Sequence, residues 1–305
     1  MNLLNNNIII SNEESSQLAL EIAKKFSYDC ITYKLKIFAD GESKITIRKI
    51  EAKIVIIIHS INPPVDSNLI RIISLIYEIK KQSELIVAVI PYMGYSRQDR
   101  VFLPGEVATI EVLSKLFEAV GVSALIVLDI HSNLALKKFN VPITNVSAVP
   151  AIAKYVSKLK LQDLIIVSPD FGGNDRAKLL SQLLKTEYLT LKKQRDRTTG
   201  EITIISDNLC NVHNKNIILI DDIISTGNSI INATKILKKN KCKKIFVCCT
   251  HAILVNDARK KIIKSGVEKI ITTSTKEGCE KIDIAPIMYT AIKNVVNKLD
   301  FKLQR

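Results

Sequence analysis

Short apolar runs alternate with amphipathic segments along the whole chain, and this alternation is the feature that most constrains the fold. The apolar runs show no polar alternation, as expected of strands that are buried on both faces of a parallel sheet. The segments between them repeat apolar residues at helical spacing. The sequence therefore predicts an α/β protein with open parallel sheets covered by helices on both faces. The predicted strands are 54–58, 85–90, 125–128, 164–167, 217–220 and 245–249.

Amphipathic helices are predicted between these strands, because apolar residues recur there every three or four positions. Asp66 or Ser67 is expected to cap the first of them. Gly121 is expected to end the next, since glycine adopts the left-handed conformation that closes many helices. Three further helices are predicted, around 177–184, at 230–239 and at about 286–303.

Strands and helices follow one another in the same way in both halves of the chain, which predicts two domains of one architecture. A chain of 305 residues is long enough for two domains of ordinary size. Pro142 and Pro150 bracket a loop that we take as the boundary, so the predicted domains are 1–148 and 149–305. The last predicted helix is compatible with packing on either domain.

The composition excludes several classes of protein. No apolar run approaches the roughly 20 residues of a membrane span, and the first ten residues lack the basic region and cleavage site of a signal peptide. The six cysteines form no C-x-x-C pair, which favours reduced thiols in a cytoplasmic protein. The net charge of +14 would suit nucleic-acid binding, but the lysines are scattered, and a general enrichment in Ile, Lys and Asn is the simpler explanation. We therefore expect neither a membrane nor a nucleic-acid partner.

Polar clusters follow five of the apolar stretches. Ligands of open α/β sheets bind at the carboxyl ends of the strands, so each cluster is a candidate site. One such cluster alone is a weak signal, whereas five in one chain are difficult to assign to chance. The clusters are 38–42, 91–100, 129–132, 168–173 and 221–229.

The last of these clusters has the composition of a sugar phosphate site. Two acids, Asp221 and Asp222, stand at the end of a buried strand, and a loop of small residues then opens a helix. The free N–H groups and the dipole at a helix N-terminus favour an anion such as a phosphate, and two carboxylates can hold ribose hydroxyls. An ordinary strand–turn–helix connection is the alternative. The loop residues are Ser225, Thr226, Gly227, Asn228 and Ser229.

Five segments in this order resemble the ribose-phosphate diphosphokinase (PRPP synthetase) family: FADGE, IPYMGYSRQDR, LDIHS, VSPDFGG and IDDIISTG. The resemblance covers about residues 8–290, and RVFLPGE, RDRTTGE and ISTG are closer to the archaeal-type branch. Residues 221–227 are similar to the phosphoribosyl diphosphate loop of type I phosphoribosyltransferases, although Asn228 and Ser229 replace the glycine and threonine common there. The family implies two similar open parallel-sheet domains of type I phosphoribosyltransferase-like architecture, with nucleotide on the first and ribose 5-phosphate on the second.

The resemblance implies transfer of the β,γ-diphosphoryl group of Mg-ATP to the anomeric hydroxyl of ribose 5-phosphate, which releases AMP and supplies nucleotide biosynthesis. Asp221 and Asp222 would bind the ribose hydroxyls, and 225–229 its 5-phosphate. In-line displacement at phosphorus needs positioning and positive charge more than a covalent nucleophile. The family also implies a homo-oligomer built from dimers, of dimeric, tetrameric or hexameric size. Two alternatives stay open: a phosphoribosyltransferase that consumes the product, and a non-catalytic regulatory relative.

On the nucleotide side, the resemblance assigns ATP contacts to two loops and one histidine. The first loop is the adenine-contacting stretch, which the family takes from a neighbouring subunit; Asp40-Gly41 is equally suited to a plain hairpin turn. For the second loop, a solvated network of ion pairs is the alternative. The implied ATP contacts are Phe38, Asp40, Gly41, Glu42, Arg97, Gln98, Asp99 and His131.

Mg²⁺ is the implied cofactor, and its partners by resemblance are His131 and Asp170, with Asp129 nearby. Few protein oxygens are needed, because Mg²⁺ keeps waters and binds substrate phosphates. Lys193 and Arg195 match a lysine and an arginine that, in the family, lie on a mobile loop and close over the reacting phosphates. Their charge would stabilise the transferred group and their closure would exclude water. A solvated charged loop is the alternative.

Overall fold

The computed structural model describes the backbone of residues 7–195, 202–205, 209–273 and 278–303, and their side chains except at 192–195, 202–205 and 302–303. The chain forms two compact units, Met1–Val146 with Ile284–Arg305, and Ser147–Asp283. Each unit contains a six-stranded sheet whose neighbouring strands are all parallel. The predicted α/β class with parallel sheets is confirmed.

The first unit begins with strand–helix–strand and continues through an antiparallel hairpin into four further parallel strands. In chain order its elements are β1 (Ile8–Ser11), α1 (Ser16–Phe26), β2 (Asp29–Thr32), β3 (Lys34–Ile37), β4 (Ser43–Thr46), β5 (Ile54–Ile58), α2 (Val65–Lys80), β6 (Leu85–Ile90), α3 (Thr109–Ala119), β7 (Ala124–Leu128), α4 (Asn133–Leu136) and β8 (Ile143–Val146).

The second unit repeats this order after one preceding helix. Its elements are α5 (Val149–Lys158), β9 (Leu164–Ser168), α6 (Asn174–Leu184), β10 (Glu187–Thr190), β11 (Lys192–Arg195), β12 (Ile202–Ile205), β13 (Asn216–Ile224), α7 (Asn228–Lys239), β14 (Lys244–Ala252), α8 (Ala258–Lys264), β15 (Lys269–Thr272) and β16 (Glu280–Lys281). The helix Ala285–Leu303 (α9) follows and belongs to the first unit.

The two sheets have the same strand order. It is β2-β1-β5-β6-β7-β8 in the first unit and β10-β9-β13-β14-β15-β16 in the second. Both units insert a two-stranded antiparallel ribbon, β3–β4 or β11–β12, between the second and third strands of the sheet. The architecture is therefore an internal duplication. Each strand of one sheet has an equivalent strand in the other sheet, so their ends can be compared.

Each unit is completed by the helix that follows the last strand of the other unit. α5 follows β8 but packs against α6, whereas α9 follows β16 but packs against α1. The ring of Phe26 lies 4.4 Å from that of Tyr289, and Lys53 pairs with Asp300 at 2.7 Å. The predicted second domain, 149–305, therefore ends differently in the structure, because its last helix lies on the first unit. An amphipathic pattern indicates that a face is buried but not against which sheet.

Complete burial explains why the apolar runs form central strands. All five residues of β5 are buried, as are the apolar residues at 217–220 of β13. The predicted bounds 54–58 and 85–90 agree with β5 and β6. Within the described residues, no helix combines the length and apolar character needed to cross a bilayer.

The start of α2 differs from its prediction. The helix begins at Val65, and its N-cap is Pro64, in extended backbone conformation, rather than Asp66 or Ser67. Asp66 lies in the first turn, where its negative charge is favoured by the helix dipole, and its carboxylate accepts a hydrogen bond from the Tyr95 hydroxyl. α3, by contrast, ends just before Gly121 as predicted, and Gly121 is left-handed with φ +80°.

A buried histidine at the end of β5 should make the first unit sensitive to acid. Burial lowers the pKa of His59 from 6.5 to about 4, and its Nε2 lies 2.9 Å from the Tyr33 hydroxyl. Because the folded pKa is the lower one, the unfolded chain binds more protons in this window. The stability from neutral His59 is complete above pH 6.5 and is lost as the pH falls toward 4, by about 3 kcal/mol.

Urea unfolding at pH 7.0 and 5.0 measures this effect. His59→Gln should flatten the pH dependence of the free energy of unfolding, whereas His213→Gln, which removes an exposed histidine of the other unit, should not. An unchanged pH dependence in His59→Gln would contradict the assignment.

Candidate active site

The adjacent aspartates Asp221 and Asp222 lie on β13 rather than after it, because the strand continues to Ile224. The backbone N–H of Asp222 donates to Oδ1 of Asp221 at 2.9 Å, and that of Ile223 donates to Oδ1 of Asp222 at 2.8 Å. These bonds fix both carboxylates at the carboxyl-terminal end of a central strand. The sequence located the pair correctly at the edge where ligands bind.

The pair forms part of a cluster of negative charge. Burial, followed by the nearby charges of Asp222 and Asp170, raises the pKa of Asp221 well above its usual range. The structure thus brings Asp170, Asp221 and Asp222 into electrostatic contact within one unit. Among the described residues, no group of three His, Cys, Asp or Glu side chains has metal-binding geometry.

A glycine-rich turn orients Asp170. The Asp170 side chain accepts a hydrogen bond from the Gly172 N–H at 3.1 Å, and the Ser168 hydroxyl donates to the Asp170 carbonyl at 2.7 Å. A Cβ atom at Gly173 would lie 2.4 Å from Oγ of Ser168, so the turn requires glycine there. The predicted cluster 168–173 is therefore a compact turn at the end of β9.

The loop that precedes α7 has the geometry of an anion site. Gly227 is left-handed, with φ +78°, and serves as N-cap of α7, which begins at Asn228. The first N–H groups of a helix have no backbone acceptor within it, and the start of a helix favours an anion such as a phosphate. Gly227 supplies the left-handed conformation, so the tight turn does not depend on Asn228, the first residue of the helix.

The FADGE segment forms the tip of the β3–β4 hairpin. The Phe38 N–H donates to the Glu42 carbonyl and the Gly41 N–H to the Phe38 carbonyl, each at 2.9 Å. The Glu42 N–H donates to Oδ1 of Asp40, and Gly41 is left-handed with φ +93°. The hairpin interpretation is confirmed, and it leaves the Phe38 ring partly exposed with the Lys36 ammonium 5.0 Å from its centre.

The SRQDR loop after β6 exposes two of its predicted ligands and buries the third. Arg97 and Gln98 are exposed, while Asp99 is 3% exposed. Burial raises the pKa of Asp99, but the Ser132 hydroxyl and the Arg100 guanidinium, 3.3 Å away, outweigh this and lower it. Asp99 is thus no member of a fully solvated ion-pair network, and its carboxylate faces the interior of the unit.

The DIHS turn follows β7 in the same unit. Asp129 is buried and left-handed, with φ +40°, and its N–H donates to the Val146 carbonyl at 2.8 Å. His131 is exposed, and Ser132 caps the short helix α4 by accepting from the Leu134 N–H at 3.1 Å. The predicted nucleotide residues Arg97, Gln98, Asp99 and His131 therefore follow the adjacent strands β6 and β7, whereas those of the FADGE segment lie on the separate β3–β4 hairpin.

Lys193 and Arg195 lie on β11, where their backbones pair with Ile204 and Ile202 of β12. Their side chains, and residues 196–201 of the predicted loop, lie outside the described part of the chain. By the internal duplication, this ribbon occupies the position that the FADGE hairpin occupies in the first unit.

The equivalent position of the first unit has neither the acid pair nor the glycine N-cap of the second. His59 follows β5, the strand equivalent to β13, but no acid pair occurs there. Pro63 and Pro64 precede α2, and proline has no N–H to offer a phosphate. Only the second unit combines the acid pair with a glycine N-cap in the described residues.

Two family models match the chain. The model described as the N-terminal domain of ribose phosphate pyrophosphokinase matches residues 7–121, and the model described as a phosphoribosyl transferase domain matches residues 146–285.

Curated relatives match nearly the whole length. The ribose-phosphate pyrophosphokinase of Methanopyrus kandleri is 32% identical over 291 residues, which cover 94% of this chain and 99% of that protein. The protein of the same name from Methanothermobacter thermautotrophicus is 34% identical, with 94% and 100% covered. That of Listeria ivanovii is 32% identical, with 94% and 93% covered. Archaeal and bacterial relatives thus match at similar identity, and the archaeal-type branch stays a prediction.

A solved structure shares the fold. The crystal structure of phosphoribosylpyrophosphate synthetase from Mycobacterium smegmatis matches with a TM-score of 0.85 and 22% identity, covering 96% of this chain and 99% of that one. The predicted fold class, two similar parallel-sheet domains of phosphoribosyltransferase type, is confirmed by this match.

Proposed function

This chain belongs to the ribose-phosphate pyrophosphokinase family, and from that premise we infer that it transfers the β,γ-diphosphoryl group of ATP to the anomeric hydroxyl of ribose 5-phosphate. It is a transferase of nucleotide biosynthesis. The observation that carries this conclusion is the match of both units, at more than 30% identity, to relatives of the same length. A phosphoribosyltransferase is not favoured, because it would leave the matched first unit unexplained.

Phosphorus NMR of the protein with Mg-ATP and ribose 5-phosphate tests the reaction. AMP and phosphoribosyl diphosphate should appear without any nucleobase. A phosphoribosyltransferase would form no AMP from this mixture, but it would convert added phosphoribosyl diphosphate and a nucleobase to a nucleotide with release of diphosphate. A protein that does neither would be the non-catalytic relative.

The second unit is the proposed ribose 5-phosphate site. The N-terminal N–H groups of α7, with Ser225, Thr226, Gly227, Asn228 and Ser229, would bind the 5-phosphate, since they lie at the positive end of a helix dipole, behind a left-handed glycine N-cap. Asp221 and Asp222 would accept hydrogen bonds from the ribose hydroxyls. Charged acceptors make such bonds strong, which suits discrimination of a sugar by its hydroxyl groups.

The first unit is the proposed nucleotide site. Arg97 offers an exposed planar guanidinium to phosphate oxygens, and Gln98 adds an amide whose Oε1 accepts from the Thr109 hydroxyl at 2.6 Å. The exposed FADGE hairpin, Phe38 to Glu42, would contact the adenine of a neighbouring subunit. This proposal requires a homo-oligomer, because the hairpin then completes the site of another copy.

Mg²⁺ is the proposed cofactor, with His131, Asp129 and Asp170 as its protein contacts. The donor set fits an ion that takes few protein oxygens, since no closed cage is present among the described residues. Bound Mg²⁺ would neutralise charge on the phosphates. Lys193 and Arg195 would supply further positive charge to the transferred group.

Asp99 provides a test of the nucleotide site. Asp99→Asn should raise KM for ATP about tenfold, because the buried carboxylate holds the loop that carries Arg97 and Gln98. KM for ribose 5-phosphate should stay within a factor of about two. Glu84→Gln, an exposed acid beside the opposite end of β6, is the matched control. A folded Asp99→Asn protein with normal KM for ATP would contradict the proposed role of this loop.

A further inference from the structure

One arginine that no sequence pattern singled out is paired with the second aspartate of β13. Arg176 lies in the first turn of α6, and its Nη2 is 3.7 Å from Oδ2 of Asp222. The two side chains are only 15% and 8% exposed. Burial of a charged carboxylate costs free energy unless a cation or hydrogen bonds compensate the charge. Arg176 and Asp222 therefore form a buried ion pair, in which loss of either partner leaves the other charge uncompensated.

The glycine turn places this arginine. α6 begins immediately after Gly173, and a Cβ atom at Gly173 would lie 3.8 Å from Nη1 of Arg176 and 2.4 Å from Oγ of Ser168. The same turn holds the Asp170 side chain through the Gly172 N–H. The position of the guanidinium is therefore coupled to the end of β9, the strand next to β13.

The pairing makes the two aspartates chemically different. Asp222 has its Oδ1 on the Ile223 N–H and its Oδ2 toward Arg176. Asp221 accepts from the Asp222 N–H, and no cation lies at ion-pair distance from it among the described residues. The Asp222 carboxylate is thus held by a backbone N–H and by a cation, whereas that of Asp221 is held by a backbone N–H and by contact with the Asp222 side chain.

We propose that Arg176 is a positioning residue for ribose 5-phosphate, which offsets the charge of Asp222 and fixes its carboxylate for the ribose hydroxyls. The inference rests on the proposed function and adds a residue to its sugar site. Without the arginine, three neighbouring carboxylates would face one another with less compensation, and Asp222 would turn away from its binding orientation.

Arg176→Gln tests the inference. KM for ribose 5-phosphate should rise about tenfold, and so should the Kd for ribose 5-phosphate measured by calorimetry without nucleotide. KM for ATP should change by less than about twofold. Arg176→Lys keeps the charge without the planar fork and should recover most of the affinity. Lys178→Gln, which removes an exposed cation two residues along the same helix, should have no effect.

A double-mutant cycle with Asp222→Asn distinguishes pairing from general damage. If Arg176 acts through Asp222, Arg176→Gln should weaken ribose 5-phosphate binding less than about twofold in the Asp222→Asn protein. Additive effects, or an equal rise in KM for ATP, would overturn the inference. Should Arg176→Gln fail to fold in a thermal unfolding scan, Arg176→Met, which removes the charge but keeps a long side chain, carries the same cycle.

Measurements on the wild-type protein distinguish failure of the proposed function from failure of the role proposed for Arg176. Absence of AMP formation by the wild type would reject the proposed function. Normal AMP formation together with unchanged ribose 5-phosphate affinity in Arg176→Gln would reject the arginine's role alone.

Discussion

Replacement of Lys193 by alanine is expected to lower kcat about a thousandfold while the affinity for ATP stays within a factor of about two. The proposed lysine acts on charge that develops in the transferred group, so its loss should affect the transition state more than the bound substrate. Arg195→Ala should act in the same direction. Rapid-quench measurement of AMP formation gives kcat, and calorimetry with Mg-ATP alone gives the affinity.

Lys192→Ala is the matched control, because it removes the same charge from the adjacent position of β11. It should retain turnover. Unchanged kcat in Lys193→Ala would remove this ribbon from the mechanism and would favour the solvated charged loop. Equal losses in both variants would mean that the net charge of the ribbon matters, and not one placed lysine.

The location of that ribbon gives a reason to test it first. β11–β12 and the FADGE hairpin are inserted at the same point of two sheets with one strand order. The same topological position is therefore used twice, once for the proposed adenine contact and once for the proposed contact with the transferred phosphates. This equivalence could not be predicted from the sequence, because the short first strands and the edge strands of both sheets give weak patterns.

Burial made the central strands predictable. β5 and β6 are almost wholly apolar and buried, so their ends coincide with the ends of the apolar runs. β13 is longer than its apolar run, because hydrogen bonds to the neighbouring strand continue past Asp221. A strand end that is decided by pairing rather than by burial is not visible in hydrophobicity alone.

The charged residues predicted for the site all belong to motifs that are visible in the sequence. Asp170 and Asp221 belong to motifs of that kind, whereas Arg176 is one arginine within an ordinary helix. Its pairing with Asp222 arises from the packing of α6 beside β13, a tertiary contact. Asp99 is the opposite case. Its motif predicted an ATP ligand, whereas its burial indicates that it supports the loop that carries Arg97 and Gln98.

The other large effect is expected from Gly227→Ala, which should raise the Kd for ribose 5-phosphate about a hundredfold. Gly227 has φ +78°, and an added Cβ would lie 2.7 Å from Cδ1 of Ile262 in α8. Because the Ile262 side chain is fully buried, we expect relief of this contact to shift the start of α7, whose N–H groups form the proposed phosphate site. A left-handed alanine costs about 1–2 kcal/mol of backbone strain, which is less than the free energy of a hundredfold change in Kd. The displacement of α7, and not the strain alone, should therefore account for the loss of affinity.

Gly105→Ala separates these two causes. Gly105 has φ +91°, but an added Cβ would meet nothing within 4 Å, so this variant has the backbone strain without the contact. It should leave ribose 5-phosphate binding unchanged in calorimetry and lower the thermal unfolding temperature only slightly. If Gly227→Ala bound ribose 5-phosphate as tightly as Gly105→Ala does, the N-terminus of α7 would not be the phosphate site. The acid pair of β13 would then have to hold the sugar without the loop that follows it.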